Sequence, residues 1–271
     1  MTAAGNPHGN PHEVYQRLRS HLAYLKLAAA AEALPAQLEA ARADGDSHTV
    51  FCERLLGLEV AATSARRHAA RLQLAGFPAP WRLSDFDFGA QPKLDRRLIG
   101  DLASMRFVDE AANVLFIGPP GVGKTMLAVA LGHAAVDAGH RVYYTTAADL
   151  AGRCHRAALT GRWATTMNFF AAPQLLVIDE LGYLPLAGEA AAALFQVIAR
   201  RYGKGSIVLT TNRTVGAWGE IFDDTVVAAA LLDRLLHRAT VVTINGESYR
   251  LRQHHARAQT LRAHLGEQPA R

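Results

Sequence analysis

Gly118-Pro119-Pro120-Gly121-Val122-Gly123-Lys124-Thr125 fits the pattern G-x-x-x-x-G-K-[ST], and its flanks decide the fold. The run Asn113–Ile117 before it is short and apolar, as a buried strand is, and Met126–Leu131 after it is rich in helix formers. Strand, glycine loop and helix in that order build a phosphate-binding loop. Glycines let backbone N–H groups approach phosphate oxygens where a side chain would collide, and the helix N-terminus adds a positive dipole end. Lys124 is expected to reach the terminal phosphates and Thr125 to offer its hydroxyl to Mg2+. Nucleotide contacts are therefore expected along Gly118, Pro119, Pro120, Gly121, Val122, Gly123, Lys124, Thr125 and Met126.

Downstream of the loop, strand-like and helix-like segments alternate, which predicts a parallel sheet covered on both faces. Strands are expected at Val114–Ile117, Arg141–Thr145, Leu175–Asp179, Ser206–Thr211 and Thr240–Ile244, and helices near Lys124–Ala138, Ala148–Leu159, Glu189–Tyr202 and Val226–His237. The fold class is thus α/β with a roughly five-stranded parallel sheet. Leu175-Leu176-Val177-Ile178-Asp179-Glu180 ends an apolar strand on two carboxylates, on the edge where such sheets bind ligands. Asp179 is the expected second Mg2+ group, and Glu180 the general base that polarises the attacking water. Ile207–Thr211 ends on Asn212, placed to bond that water or the γ-phosphate. Arg234, Arg238 and Arg250 are candidates to neutralise charge on the transferred phosphoryl group, from this subunit or a neighbour.

Upstream, residues 1–11 read as a disordered tail and 12–76 as a helical domain that binds DNA or a partner. A first helix is expected from His12 to about Ala33, with Val14, Leu18, Leu22 and Leu25 as its stripe. Pro35 is expected to open a second helix that ends at Asp44-Gly45-Asp46. A third, Thr49–Leu74, carries Phe51, Leu55, Leu58 and Ala62 on one face, and Arg66, Arg67 and Arg71 as candidate DNA phosphate contacts. Residues 77–100, with Pro78, Pro80 and Pro92, read as a linker whose Asp85-Phe86-Asp87-Phe88 packs on the ATPase domain; one of its aromatics could stack on adenine. The ATPase domain is placed at 101–252 and a basic tail at 253–271.

The whole chain has 271 residues, half of them hydrophobic, with a net charge of +5. The excess sits in residues 236–271, which hold six Lys/Arg against two Asp/Glu, a pattern suited to a polyanion or to a solvated basic face. No apolar run reaches the ~18 residues needed to span a bilayer, and Met1–Pro11 has no secretory pattern, so a cytoplasmic protein is expected. Cys52 and Cys154 form no C-x-x-C pair and are expected to be reduced and buried; the histidines show no metal-ligand spacing.

Together, the phosphate loop, the Asp-Glu strand end, the Asn-terminated strand and the late arginines resemble an AAA+ ATPase. Leu25-Lys26-Leu27, Leu83–Phe88, Asp179–Tyr183, Leu231–Arg238 and Ser248-Tyr249-Arg250 narrow this: from about residue 15 to 252 the chain resembles the IstB-like transposition helpers, relatives of the DnaC helicase loader. The resemblance implies Mg2+-dependent, DNA-stimulated ATP hydrolysis, double-stranded DNA binding with little sequence preference, ATP-dependent homo-oligomers, and recruitment of a transposase. A helicase loader is the alternative. It further implies that Arg234 acts on a neighbouring subunit's ATP and Arg250 is a second sensor, with Arg238 a competitor for the first role. Asp149–Phe170, with Arg153, Arg156 and Arg162, would face DNA. Met126 departs from the His found in many relatives.

Overall fold

The computed structural model describes residues 10–183, 188–222 and 225–249. These divide into two compact units, with the boundary between Ala70 and Arg71.

The first unit holds α1 (Pro11–Tyr24), α2 (Ala28–Asp44) and most of α3 (His48–Ala75). Asn10 caps α1 by accepting the His12 N–H at 3.1 Å, so residues 10 and 11, expected within a disordered tail, belong to this helix and its cap. Leu22, Ala30, Leu34 and Leu55 make its small core, flanked by Tyr15, Leu18 and Phe51. The first helix ends earlier than the apolar stripe predicts, because Lys26 turns left-handed at φ 59°. Pro35 does not open α2 but sits inside it, where it removes one helical hydrogen bond. Leu58, expected on the core face of α3, is 39% exposed, and Glu59 is buried instead. Leu27 offers α2 no side-chain cap. Glu59 does so from α3, accepting the N–H groups of Ala29 at 2.7 Å and Ala30 at 3.1 Å.

In the second unit α4 (Arg96–Leu102) and α5 (Arg106–Asp109) precede the sheet. Then follow β1 (Asn113–Ile117), α6 (Lys124–Asp137), β2 (Val142–Thr146), α7 (Ala147–Leu159), α8 (Trp163–Ala171), β3 (Leu175–Leu181) and α9 (Glu189–Arg201). The chain continues through β4 (Ser206–Thr211), α10 (Trp218–Phe222), α11 (Thr225–Leu236) and β5 (Ala239–Thr243). All five strands are parallel in the order β2-β3-β4-β1-β5. The expected strands and their helices are all present; α4, α5, α8 and α10 are too short for periodicity to reveal.

Alternate strand residues feed two cores. Leu115, Ile117, Leu176, Ile178, Ile207 and Leu209 pack under α7 to α11. Val114, Phe116, Leu175, Val177 and Val208 pack under α6, α4 and the segment around Phe86. This explains why α6 is apolar nearly all round: both of its sides are covered, and Gly132 leaves room for Phe77, whose ring a Cβ there would strike at 2.6 Å. Because the strands are parallel, the ends of β1, β3 and β4 lie on one edge, which positions the site.

Candidate functional site

The loop after β1 starts where the Gly118 N–H donates to Thr211 O of β4 at 3.2 Å. Gly121 and Gly123 have φ of 83° and 100°, which L residues adopt only with strain. Space is short as well: a Cβ on Gly123 would lie 2.6 Å from the Phe86 ring, and one on Gly121 would run into Ser248. Phe86 is therefore packed against the loop from the linker, as expected of that segment. On the other side Tyr249 N–H donates to Gly121 O at 2.9 Å. Lys124 opens α6, is 5% exposed, and its ammonium donates to the carbonyls of Gly118 and Pro119 at 2.8 Å each. Pro119 and Pro120 are exposed, Val122 is buried, and Met126 packs against the core.

Asp179, 1% exposed, is the hub at the end of β3, which β4 separates from β1. Its Oδ1 accepts from Thr125 Oγ1 at 3.1 Å and from Thr210 Oγ1, and its Oδ2 accepts from Tyr144 OH at 2.8 Å. Burial first, and then the Asp179 charge, push the Tyr144 phenol above its ordinary value, so it remains a donor. Glu180 is exposed and left-handed at φ 63°, and its N–H donates to Thr210 Oγ1 at 3.0 Å. Asn212 follows β4, and its Oδ1 is buried with no hydrogen-bond partner among the described residues. An unmet buried acceptor is disfavoured by about 1–3 kcal/mol.

Lys124, Thr125, Asp179, Glu180 and Asn212 are thus brought to one sheet edge. Arg234 is not. It donates to Ala230 O at 3.1 Å and stacks 4.7 Å from the Phe195 ring. With Arg238 and His237 it lines a cavity of about 230 Å³ that also touches Asn113 and Ile207, the beginnings of β1 and β4. At ~3.3 Å per residue, the strand separates that edge from the loop by roughly 13 Å. Arg250 lies outside the described residues, as do 1–9 and the tail 253–271.

The candidate DNA contacts divide similarly. Arg66 is committed to Glu59 at 2.8 Å and Thr63 at 2.8 Å, so its guanidinium balances a buried carboxylate. Arg153 lies over Phe169 at 3.7 Å and donates to Tyr143 OH at 3.3 Å. In both cases a long cation beside a buried acid or a partly buried ring finds a partner within the fold. Arg67, Arg156 and Arg162 are exposed, and Arg71 is partly so.

Tyr144 and Thr210 also bond Asp179, and neither belongs to a motif that marks it in the sequence. Thr210 stands in a polar strand end that was visible, but nothing local shows that it faces Asp179. Thr125 and Asp179 fit a Mg2+ ion: a buried carboxylate beside a hydroxyl, completed by phosphate oxygens and water, is that ion's usual set. Among the described residues no cluster of three or more His, Cys, Asp or Glu offers a rival metal site. Cys52 and Cys154 are both free; Cys52 is exposed on α3 rather than buried as expected, while burial pushes the Cys154 thiol up to about 11. No described helix is long and apolar enough to cross a membrane.

Against known proteins, residues 20–257 match the family described as "IstB-like ATP binding protein". The chain is 42% identical over 238 residues to a protein of Geobacillus stearothermophilus named for ATP binding in insertion sequence IS5376, covering 88% of this chain and 95% of that one. It is 45% identical over 184 residues to the one named for insertion sequence IS21 in Pseudomonas aeruginosa, covering 68% and 69%. Among solved structures, AMPPCP-bound DnaA from Aquifex aeolicus superposes with a TM-score of 0.52 at 21% identity, over 62% of this chain and 51% of that one. DnaI superposes with a TM-score of 0.53 at 18% identity, over 61% and 91%. At such identities the structural likeness concerns the fold alone.

Proposed function

The chain belongs to the IstB-like ATP-binding protein family, and we propose that it is a Mg2+-dependent ATP hydrolase that assembles on double-stranded DNA in the cytoplasm and recruits or stimulates the transposase of its insertion sequence. The observation that carries this reading is the convergence of Lys124, Thr125, Asp179, Glu180 and Asn212 on one sheet edge. The relatives named for insertion sequences support the biological setting.

In this reading Lys124 exchanges its two loop carbonyls for phosphate oxygens, and the N–H groups at the start of α6 hold the rest of the phosphate chain. Thr125 and Asp179 would hold the Mg2+ ion, which when bound screens the phosphate charge. Glu180, exposed beside the buried Asp179, takes the proton of the attacking water. Asn212 Oδ1 accepts that water's other hydrogen and so orients it, a use for its unpartnered lone pairs. Arg234, held at the far edge of its own sheet, serves the nucleotide of an adjacent subunit, which makes turnover a property of the oligomer. DNA contact falls to Arg67, Arg71, Arg156 and Arg162.

The test is ATP turnover and DNA binding by the purified full chain, with and without duplex DNA, beside Lys124→Ala. We expect DNA to raise turnover, salt to weaken DNA binding steeply, and Lys124→Ala to lose turnover and ATP-dependent assembly together. Assembly that survives Lys124→Ala would remove the loop from the centre of this account.

A further inference from the structure

We propose that Thr210 is a positioning residue for the acidic pair: one hydroxyl on β4 fixes both the backbone that aims Glu180 and the carboxylate of Asp179. This rests on the roles proposed above for those two residues and names what sets their geometry. In a regular strand, consecutive side chains leave on opposite faces, so an Asp-Glu pair would send its carboxylates apart. Here the register of β3 against β4 runs Val177 to Val208 and Ile178 to Leu209, then slips so that Leu181 meets Thr211. Three steps on β3 are matched by two on β4, and the extra residue is absorbed at Asp179–Glu180, where Glu180 turns to φ 63°. Such a bulge re-aims a side chain. It leaves Asp179 buried and Glu180 exposed on the same working edge.

The bulge also takes the Glu180 N–H out of the strand ladder, and that donor needs an acceptor. Thr210 Oγ1 supplies it at 3.0 Å. The same hydroxyl has a single proton and gives it to Asp179 Oδ1, an acceptor-only atom in the ionised carboxylate. Thr125 and Tyr144 also bond Asp179, but among the described residues only Thr210 also holds the main chain of Glu180. Thr210 is 1% exposed, so water has little access to replace it. Valine fills the same space and can make neither bond.

The experiment is amide hydrogen exchange resolved at Glu180, with ATP turnover and nucleotide affinity in parallel, on the full-length protein and on Thr210→Val, Thr210→Ser and Tyr144→Phe. We expect Glu180 protection to be kept in Thr210→Ser and Tyr144→Phe and to fall at least about tenfold in Thr210→Val. Turnover of Thr210→Val at saturating ATP should drop by roughly 10- to 100-fold with affinity within about threefold, and serine should restore most of it. Thr210→Ala takes the place of valine in the same comparison should valine prevent folding. Unchanged Glu180 exchange on loss of the hydroxyl, or a serine variant no better than valine, would overturn the proposal. If the unaltered protein does not hydrolyse ATP, the hydrolytic reading falls, while exchange at Glu180 still judges Thr210.

Discussion

Asp179 and Glu180 are adjacent in the chain yet meet water in opposite ways: Asp179 is closed in by three hydroxyls, while Glu180 stands exposed beside it. The division suits one residue that holds a metal and another that handles a proton. Glu180→Gln keeps the size and the backbone of the bulge and removes only the base. Turnover should fall by about 10²- to 10⁴-fold while ATP still binds, read by steady-state rates beside equilibrium binding. A variant that turns over normally would exclude Glu180 as the base. The residues of this site that were legible in the sequence are those that sit in contiguous patterns: the glycine loop with Lys124 and Thr125, the apolar strand ending in Asp179-Glu180, and Asn212. Thr210 and Tyr144 were not legible, because what matters about them is strand register across β2, β3 and β4, and register is set by the whole sheet.

Helices show the same contrast between periodicity and long-range partners. The span of α3 was readable to within a residue at each end, but the inward place given to Leu58 belongs to Glu59, whose task is to cap another helix. No pattern within α3 announces that α2 lacks a cap of its own. The Ala30 N–H, followed by Arg66, holds the Glu59 carboxyl below its ordinary value of 4.5. A carboxyl shifted down stabilises the fold above that ordinary value, and the contribution is lost as pH falls through the lowered folded value. Glu59→Gln should therefore lower the melting temperature of the N-terminal helices at pH 7, with the gap to the unaltered protein closing below about pH 4. Circular dichroism melts across pH would check it; a gap that stays constant would show that the Glu59 charge is not what caps α2.

At the scale of the molecule, the parallel run of all five strands sets the phosphate loop, Asp179 and Asn212 at one end of the sheet and Arg234 near the other. A lone subunit thus carries both halves of the proposed catalytic machinery on opposite ends of its sheet, an arrangement that head-to-tail contact between copies would complete. The alternation of strands and helices made the sheet legible from the chain; the separation of Arg234 from the loop became visible only with the strands in place. The most direct measurement mixes two defective proteins, Glu180→Gln and Arg234→Ala, on duplex DNA with ATP and Mg2+. Each alone should bind ATP and turn over little. Random mixing pairs an intact Glu180 with a neighbour's intact Arg234 at about one interface in four, so turnover should recover to roughly a quarter of the unaltered rate. No recovery on mixing, or full turnover by Arg234→Ala alone, would contradict a site completed by the neighbouring subunit.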